Sequence, residues 1–200
     1  TRTGRWWTAS PSRPQHSARP RPPEPSRPPL RRVLDRLADS QHLVVLLISL
    51  WLVLTSPWIT MRKGIPESAG FLDYAHIALG LVLVPLALAY FATNTLGGRW
   101  RDYFPWLAGN FAEVKRDLVG IPKGRLPQPG GAGLFSLIEG LVLVLLVATA
   151  LTGLGWFVLE GSRAAMAWRD WHIVAADALV VGMIVHAIAA SLHLLEFLLE

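Results

Sequence analysis

The chain has 200 residues, of which 52% are apolar and only 16% are charged, with nine Trp, no Cys and a net charge of +5. This composition is typical of a membrane protein and excludes an ordinary soluble domain. The absence of Cys excludes disulfides, thiolate metal sites and haem attached through Cys, so a metal centre must use nitrogen or oxygen ligands.

The N-terminal part of the chain differs from the rest. Residues 1–35 include SARPRPPEPSRPP, a stretch rich in Pro and Arg and poor in large apolar side chains. Such a segment is extended and has no packed core. The sequence therefore predicts a disordered cytoplasmic tail over 1–35, with His16 solvated, and a single domain over 36–200. No apolar region of a signal peptide precedes residue 42, so we expect no cleaved signal peptide.

Four apolar stretches follow, each long enough for the roughly 20-residue helix that crosses a bilayer. Backbone groups in lipid must be paired within a helix or a closed barrel, and these stretches are too long to be strands. The predicted fold class is an all-α membrane protein, a four-transmembrane-helix bundle in contact with lipid. Its predicted helices cover about 40–60, 70–94, 133–159 and 168–198.

The long connection between the second and third spans carries an apolar repeat. Leu107, Phe111, Val114 and Leu118 recur at helical spacing. The repeat predicts an amphipathic helix that lies along the membrane surface.

Basic residues are distributed unequally between the two sides of the predicted bundle. The first 41 residues hold nine Arg and residues 94–132 hold six Lys or Arg, whereas 61–70 and 160–167 hold three between them. By the positive-inside rule, both ends of the chain are cytoplasmic, and we expect a multi-pass membrane protein. The basic tail has no stacking or groove-reading element beside it, so we expect no nucleic-acid partner.

Four histidines lie in the predicted spans. His42 begins the first span, His76 lies near the start of the second, and the fourth holds His172 and His186. Fourteen residues of helix rise about 21 Å and leave the last two within about 40° of each other on one face. In the predicted orientation, His42 and His186 share the inner level of the membrane. His76 and His172 share the outer level.

Histidines at shared depths suit one cofactor in particular. A low-spin haem b needs two axial imidazoles on opposite sides of a flat ring, and facing helices of a bundle supply them. We therefore predict two haem b groups. His42 and His186 are expected to bind the inner haem iron, and His76 and His172 the outer one.

Each histidine could instead be a hydrogen-bonded core residue, which is the commoner role of a lone His in a membrane helix. The pairing at two depths favours ligation, and Gly80 and Gly182, four residues from His76 and His186, clear the ligand face. His193 is interpreted as interfacial, or as a replacement for His186 as the ligand.

Charged residues near the histidines have further expected roles. Glu139 is a candidate for proton handling near the inner haem, or else a hydrated interfacial acid. Asp73 and Asp170 could orient an imidazole or simply lie at the interface. Asp177 is predicted to turn away from His172 on its helix. The cations available to haem propionates are Arg62, Lys63, Arg163 and Arg169 at the outer rim and Arg36 and Arg99 at the inner rim.

The spacings and local motifs resemble those of a known family. His42 and His76 are 34 residues apart, His172 and His186 are 14 apart, and the motifs are HIALG, DWH and HAIAASLH. Together, over about 31–200, they resemble the prokaryotic cytochrome b561 family, which includes free-standing dihaem cytochromes and cytochrome b subunits of nickel-iron hydrogenases and formate dehydrogenases. The resemblance implies the same four ligands, one-electron transfer involving a membrane quinone, and a place in the bacterial inner membrane. The His-Trp pair usual on the family's first helix is His42-Leu43 here.

Three functions stay open from the sequence. The first is electron transfer through two bis-His b haems between the quinone pool and a redox partner subunit. The second is a free-standing quinone-linked oxidoreductase that acts on a small oxidant or reductant such as superoxide. The third is a haem-free membrane scaffold or small transporter.

Overall fold

A computed structural model describes residues 29–96, 99–123, 127 and 131–199, with side chains described between 40 and 191 outside the same gaps. Every regular element in this part of the chain is a helix. The predicted tail up to residue 28, together with His16, lies outside the described residues, as do the side chains of Arg36 and His193.

Four of the helices are long and apolar enough to cross a membrane, which confirms the predicted fold class. They are α1 (Pro29–Thr55), α2 (Phe71–Thr95), α6 (Leu134–Val158) and α7 (Ala164–Leu199). The apolar spans within them cover 40–58, 71–95, 134–158 and 164–191.

Three helix bounds differ from the prediction: both ends of the first helix, and the start of the last, which begins at Ala164 and not at 168. The first helix begins at Pro29, so residues 29–35, assigned to the tail, are helical. It ends at Thr55 because Pro57 disfavours helical backbone at the residue before it, and a short 3-10 turn, Ser56–Trp58, follows. Helix α2, in contrast, continues through Pro85 without a break.

The bundle is packed in chain order. Helix α1 packs on α2, α2 on α6 and α6 on α7, whereas α1 and α7 have no extensive contact with each other. We call the end with the 56–70 and 159–163 connections the outer end, following the predicted orientation, and the opposite end the inner end. The buried core lies between α1, α2, α6 and α7 and contains Val45, Leu83, Ala87, Leu146, Ala150 and Leu179.

Three short helices form the inner connection: α3 (Trp100–Tyr103), α4 (Pro105–Ala108) and α5 (Ala112–Gly120). The prediction of one amphipathic helix over 107–118 is therefore wrong, since Gly109 adopts a left-handed conformation (φ 68°) and ends α4. Val114 of the predicted stripe is buried, whereas Leu107 is exposed.

The inner connection is fastened to the membrane helices. The carboxylate of Asp117 on α5 accepts a hydrogen bond of 2.9 Å from the Leu134 N–H and so caps α6. Phe104 is buried and stacks on Phe91 of α2, with ring centres 5.9 Å apart. Gly140 of α6 lies directly against the Tyr103 carbonyl, where a side chain would collide with backbone.

The outer connection is held down by Asp73 of α2, which is only 4% exposed. Its carboxylate accepts hydrogen bonds from the Thr60 N–H at 2.8 Å and the Gly70 N–H at 2.9 Å, and from the Thr60 hydroxyl at 3.2 Å. Since Gly70 precedes the first residue of α2, the same carboxylate caps the helix and fixes the loop before it.

Replacing Asp73 by Ala is expected to lower the free energy of unfolding by about 1 to 3 kcal/mol, because the helix cap and the loop bonds are lost together. Denaturant unfolding in detergent, followed by far-UV circular dichroism, measures this. Asp102→Ala, at an exposed carboxylate, is the control and should match the parent. Equal stability of both variants would contradict this role of Asp73.

Candidate cofactor site

A cavity of about 390 Å³ occupies the outer half of the bundle. Its volume is within the range of roughly 300 to 1,000 Å³ that is usual for ligand and cofactor sites. All four membrane helices contribute to its wall, which includes Ser49, His76, Gly80, Thr149, Gly153 and His172. Because α1 and α7 are not packed closely together, the cavity lies where the bundle is least closed.

His76 and His172 face each other in this cavity. Their ring centres are 6.3 Å apart and the ring planes are at 87°. A metal–imidazole bond is about 2 Å long and the ring centre lies about 1 Å beyond the nitrogen, so two axial imidazoles on one iron have centres about 6 Å apart. The observed separation therefore fits ligation of one iron by both histidines.

The orientation of His172 is set by α6. Its Nδ1 lies 2.9 Å from the Thr149 carbonyl oxygen, which can only accept, so Nδ1 carries the hydrogen and donates it. The other ring nitrogen, Nε2, then keeps its lone pair for a metal. Gly153 makes this approach possible, because a Cβ at that position would lie 3.1 Å from the imidazole ring.

His76 presents a different feature. Its Nδ1 is buried and has no hydrogen-bond partner among the described residues. A buried polar atom without a partner is costly, and such atoms in native proteins are often found at functional sites. An unpaired ring nitrogen in the wall of a cavity, opposite a second histidine, supports a binding role for His76.

The donor set favours haem over a bare metal ion. Among the described residues, no group of three or more His, Asp or Glu side chains could hold a metal ion. A zinc site would need three or four protein ligands, whereas a b-type haem supplies four ring nitrogens and needs only two axial imidazoles. Two facing histidines in an apolar cavity thus fit haem b.

The inner histidines have different surroundings from each other. His42 on α1 is exposed, and its Nδ1 lies 2.6 Å from the Tyr90 hydroxyl of α2. His186 on α7 is half-buried. The outer cavity includes neither of them, so their pairing on one iron stays a prediction.

Glu139 is half-buried on α6, beside the point where Gly140 meets the inner connection. Burial, and then the nearby Glu139 carboxylate, raise the pKa of the Tyr103 phenol above its ordinary value. This places Glu139 at the inner end, as expected. Its role in proton handling stays a prediction.

The other acidic residues have partners at the outer end or lie on the cavity wall. Asp73 binds groups of the outer connection, and Asp170 pairs with Arg169 at 3.5 Å, so neither is hydrogen-bonded to an imidazole. Asp177 contributes to the cavity wall, so the prediction that it turns away from the site is wrong.

Among the cations considered for haem propionates whose side chains are described, Arg169 is the one that lines the cavity. Its Nε donates a hydrogen bond of 2.9 Å to the Met61 carbonyl and so ties α7 to the outer connection. Arg99 at the inner end donates to the Thr93 carbonyl at 2.7 Å.

Two contacts at the histidines were missed from the sequence. Tyr90 lies near the inner end of the second span, at the level assigned to His42, so the depth argument could have found it. The Thr149 carbonyl had no sequence signal, because every residue carries a carbonyl group.

A membrane-spanning four-helix bundle with an opposed pair of histidines in a cavity is the architecture of a b-type membrane cytochrome. The family model for prokaryotic cytochrome b561 matches residues 33–197, and the chain belongs to that family. It is therefore an integral membrane protein whose family transfers electrons across the membrane through b haems. No curated protein and no solved structure gives a significant match to this chain.

Proposed function

We propose that this protein is a dihaem cytochrome b that carries single electrons between the quinone pool and a redox partner. His76 and His172 hold an outer haem, and His42 and His186 hold an inner one. The observation that carries the proposal is the 6.3 Å separation of the His76 and His172 rings in the outer cavity. A bound haem supplies an iron that takes up and releases one electron at a time.

The side chains around the outer pair hold the ligands and exclude water. The Thr149 carbonyl fixes the ring of His172, and Gly153 leaves room for it. Leu52, Ile77 and Leu83 contribute apolar side chains to the wall, so the site has a low dielectric constant. Both effects favour a bis-imidazole iron that stays six-coordinate in the two redox states.

The open side of the bundle favours a lipid-soluble reaction partner. Helices α1 and α7 lack extensive contact, and the outer cavity lies between them. A quinone dissolved in the bilayer could approach this side without crossing water. Because α1 and α7 lack extensive contact along their whole length, a quinone could also approach at the inner end, where the half-buried Glu139 is the residue we propose for the accompanying proton exchange.

The orientation of the chain is part of the proposal. The first 41 residues and residues 94–132 together carry 15 of the 19 Lys and Arg, and by the positive-inside rule we assign both segments to the cytoplasm of a prokaryotic cell. The protein then belongs to the cytoplasmic membrane, and the outer pair of histidines lies at its external side.

The test is reduction by quinol. Purified in detergent and supplied with haem, the chain is expected to bind two haems and show Soret and α bands. A soluble short-chain quinol is then expected to reduce these haems when it is mixed with the protein, as followed by absorption at the α band. The oxidised quinone at equal concentration is the control. Absence of bound haem would contradict the cytochrome proposal and favour a haem-free membrane scaffold. If two haems bind but the quinol does not reduce them, the proposed quinone partner is contradicted. Superoxide is then the next oxidant or reductant to test.

A further inference from the structure

The inner end of α1 is joined to α2 by a small group of hydrogen bonds around His42. The Gln41 amide nitrogen donates to the Leu86 carbonyl at 3.5 Å, and the Thr93 hydroxyl donates to the Gln41 amide oxygen at 3.3 Å. Between them, His42 Nδ1 lies 2.6 Å from the Tyr90 hydroxyl. Helices α1 and α2 are therefore held in one register at the level of His42.

The contact between His42 and Tyr90 is a hydrogen bond between their side chains. At 2.6 Å it is the shortest side-chain hydrogen bond of either helix among the described residues. The two rings are tilted by 54°, with centres 5.8 Å apart, so they are not stacked. The Tyr90 side chain is half-buried, which fixes where its hydroxyl can be.

The chemistry of ligation decides the direction of this hydrogen bond. An imidazole that binds iron through Nε2 carries its hydrogen on Nδ1, so His42 donates and the Tyr90 oxygen accepts. Such an acceptor fixes the rotation of the ring and makes the ligand more basic. At the outer level, the Thr149 carbonyl has the same relation to His172.

We propose that Tyr90 is a positioning residue, which orients His42 and tunes the electron-donating strength of this ligand toward the inner haem iron. The inference rests on the proposed function, since it needs a haem on His42. Tyr90 is not itself one of the four proposed ligands. The two haems would then differ in the hydrogen-bond acceptor of a ligand histidine, which is a phenol oxygen for His42 and a backbone carbonyl for His172.

Tyr90→Phe tests this directly by removing one oxygen atom. The midpoint potential of one haem is expected to shift in the positive direction, because a less basic ligand stabilises ferric iron less, while the other haem keeps its potential. Optical redox titration measures both. Tyr74→Phe, on the same helix at an exposed residue, is the matched control and should leave both potentials unchanged.

A measurement on the parent protein covers the case in which the variant does not fold. Infrared difference spectra between the oxidised and reduced states, recorded with unlabelled and ring-deuterated tyrosine, are expected to show a tyrosine band that changes with one haem. The same band should persist in Tyr74→Phe. Absence of any isotope-sensitive band in the parent overturns the proposal.

The outcomes separate the two proposals. A chain without haem ends the proposed function, and the role of Tyr90 ends with it. Two bound haems whose potentials are the same in the parent and in Tyr90→Phe leave the cytochrome in place and overturn only the role of Tyr90. A shift in one haem, with Tyr74→Phe unchanged, supports it.

Discussion

His172→Ala is expected to retain one haem per chain where the parent is expected to bind two. In the proposed scheme the variant would remove one ligand of the outer haem, and His76 alone would not hold that haem in a cavity whose other wall has lost its imidazole. The haem that remains should keep the spectrum of a low-spin, six-coordinate iron. A pyridine haemochrome assay, referred to protein concentration, measures the stoichiometry.

The control for this variant is His16→Ala, in the N-terminal tail. It removes an imidazole without touching the predicted ligand set, so two haems are expected. Retention of two low-spin haems in His172→Ala would show that His172 is not a ligand, and the assignment of the outer site would be wrong.

Gly140→Ala is expected to lower the stability of the protein substantially. A Cβ at this position would collide with the carbonyl of Tyr103, which is backbone and cannot rotate away. The inner connection would have to move off α6, at a cost of about 1 to 3 kcal/mol, the range usual for overpacking. Thermal unfolding in detergent, followed by circular dichroism, should show a lower Tm.

Gly182→Ala is the matched control, since it is also a glycine within a membrane helix. Its Cβ would meet only the ends of the Val142 and Leu145 side chains, at 3.3 and 3.4 Å, and these can adjust. Its Tm should stay near that of the parent. Equal Tm values for the two variants would mean that the inner connection does not lie against α6 at Gly140.

The membrane helices could be predicted well because lipid imposes a strong and local rule. A run of about 20 apolar residues must be a helix, since no water is present to bind its backbone. The ends were harder to predict. The first helix extends back to Pro29 through polar sequence, where hydropathy does not mark its start. It ends before Pro57, although the apolar sequence continues beyond that residue.

The inner connection shows where a periodic pattern misleads. Leu107, Phe111 and Val114 have helical spacing, but Gly109 and the turn after it break the helix between them. The segment is shaped instead by tertiary contacts, such as Phe104 against Phe91 and Asp117 at the start of α6. A pattern confined to the segment holds no information about these partners.

At the candidate site, too, some features could be predicted from the sequence and others could not. Depth and helix face, both read from the sequence, were enough to predict that His76 and His172 oppose each other, and their ring contact agrees. The groups that orient the rings depend on helix rotation to within a few degrees. For that reason the contacts of Tyr90 and of the Thr149 carbonyl became visible only in three dimensions, and so did the place of Asp177 on the cavity wall.

The central claim is that His76 and His172 bind the same iron, and the haem content of the double variant His76→Ala/His172→Ala tests it most directly. Each single variant is expected to retain one haem. If the two residues share an iron, the double variant also retains one, because the second substitution removes nothing further. A double variant that retains no haem would show that the two histidines serve different irons, and the assignment of a single shared iron to the outer site would be contradicted.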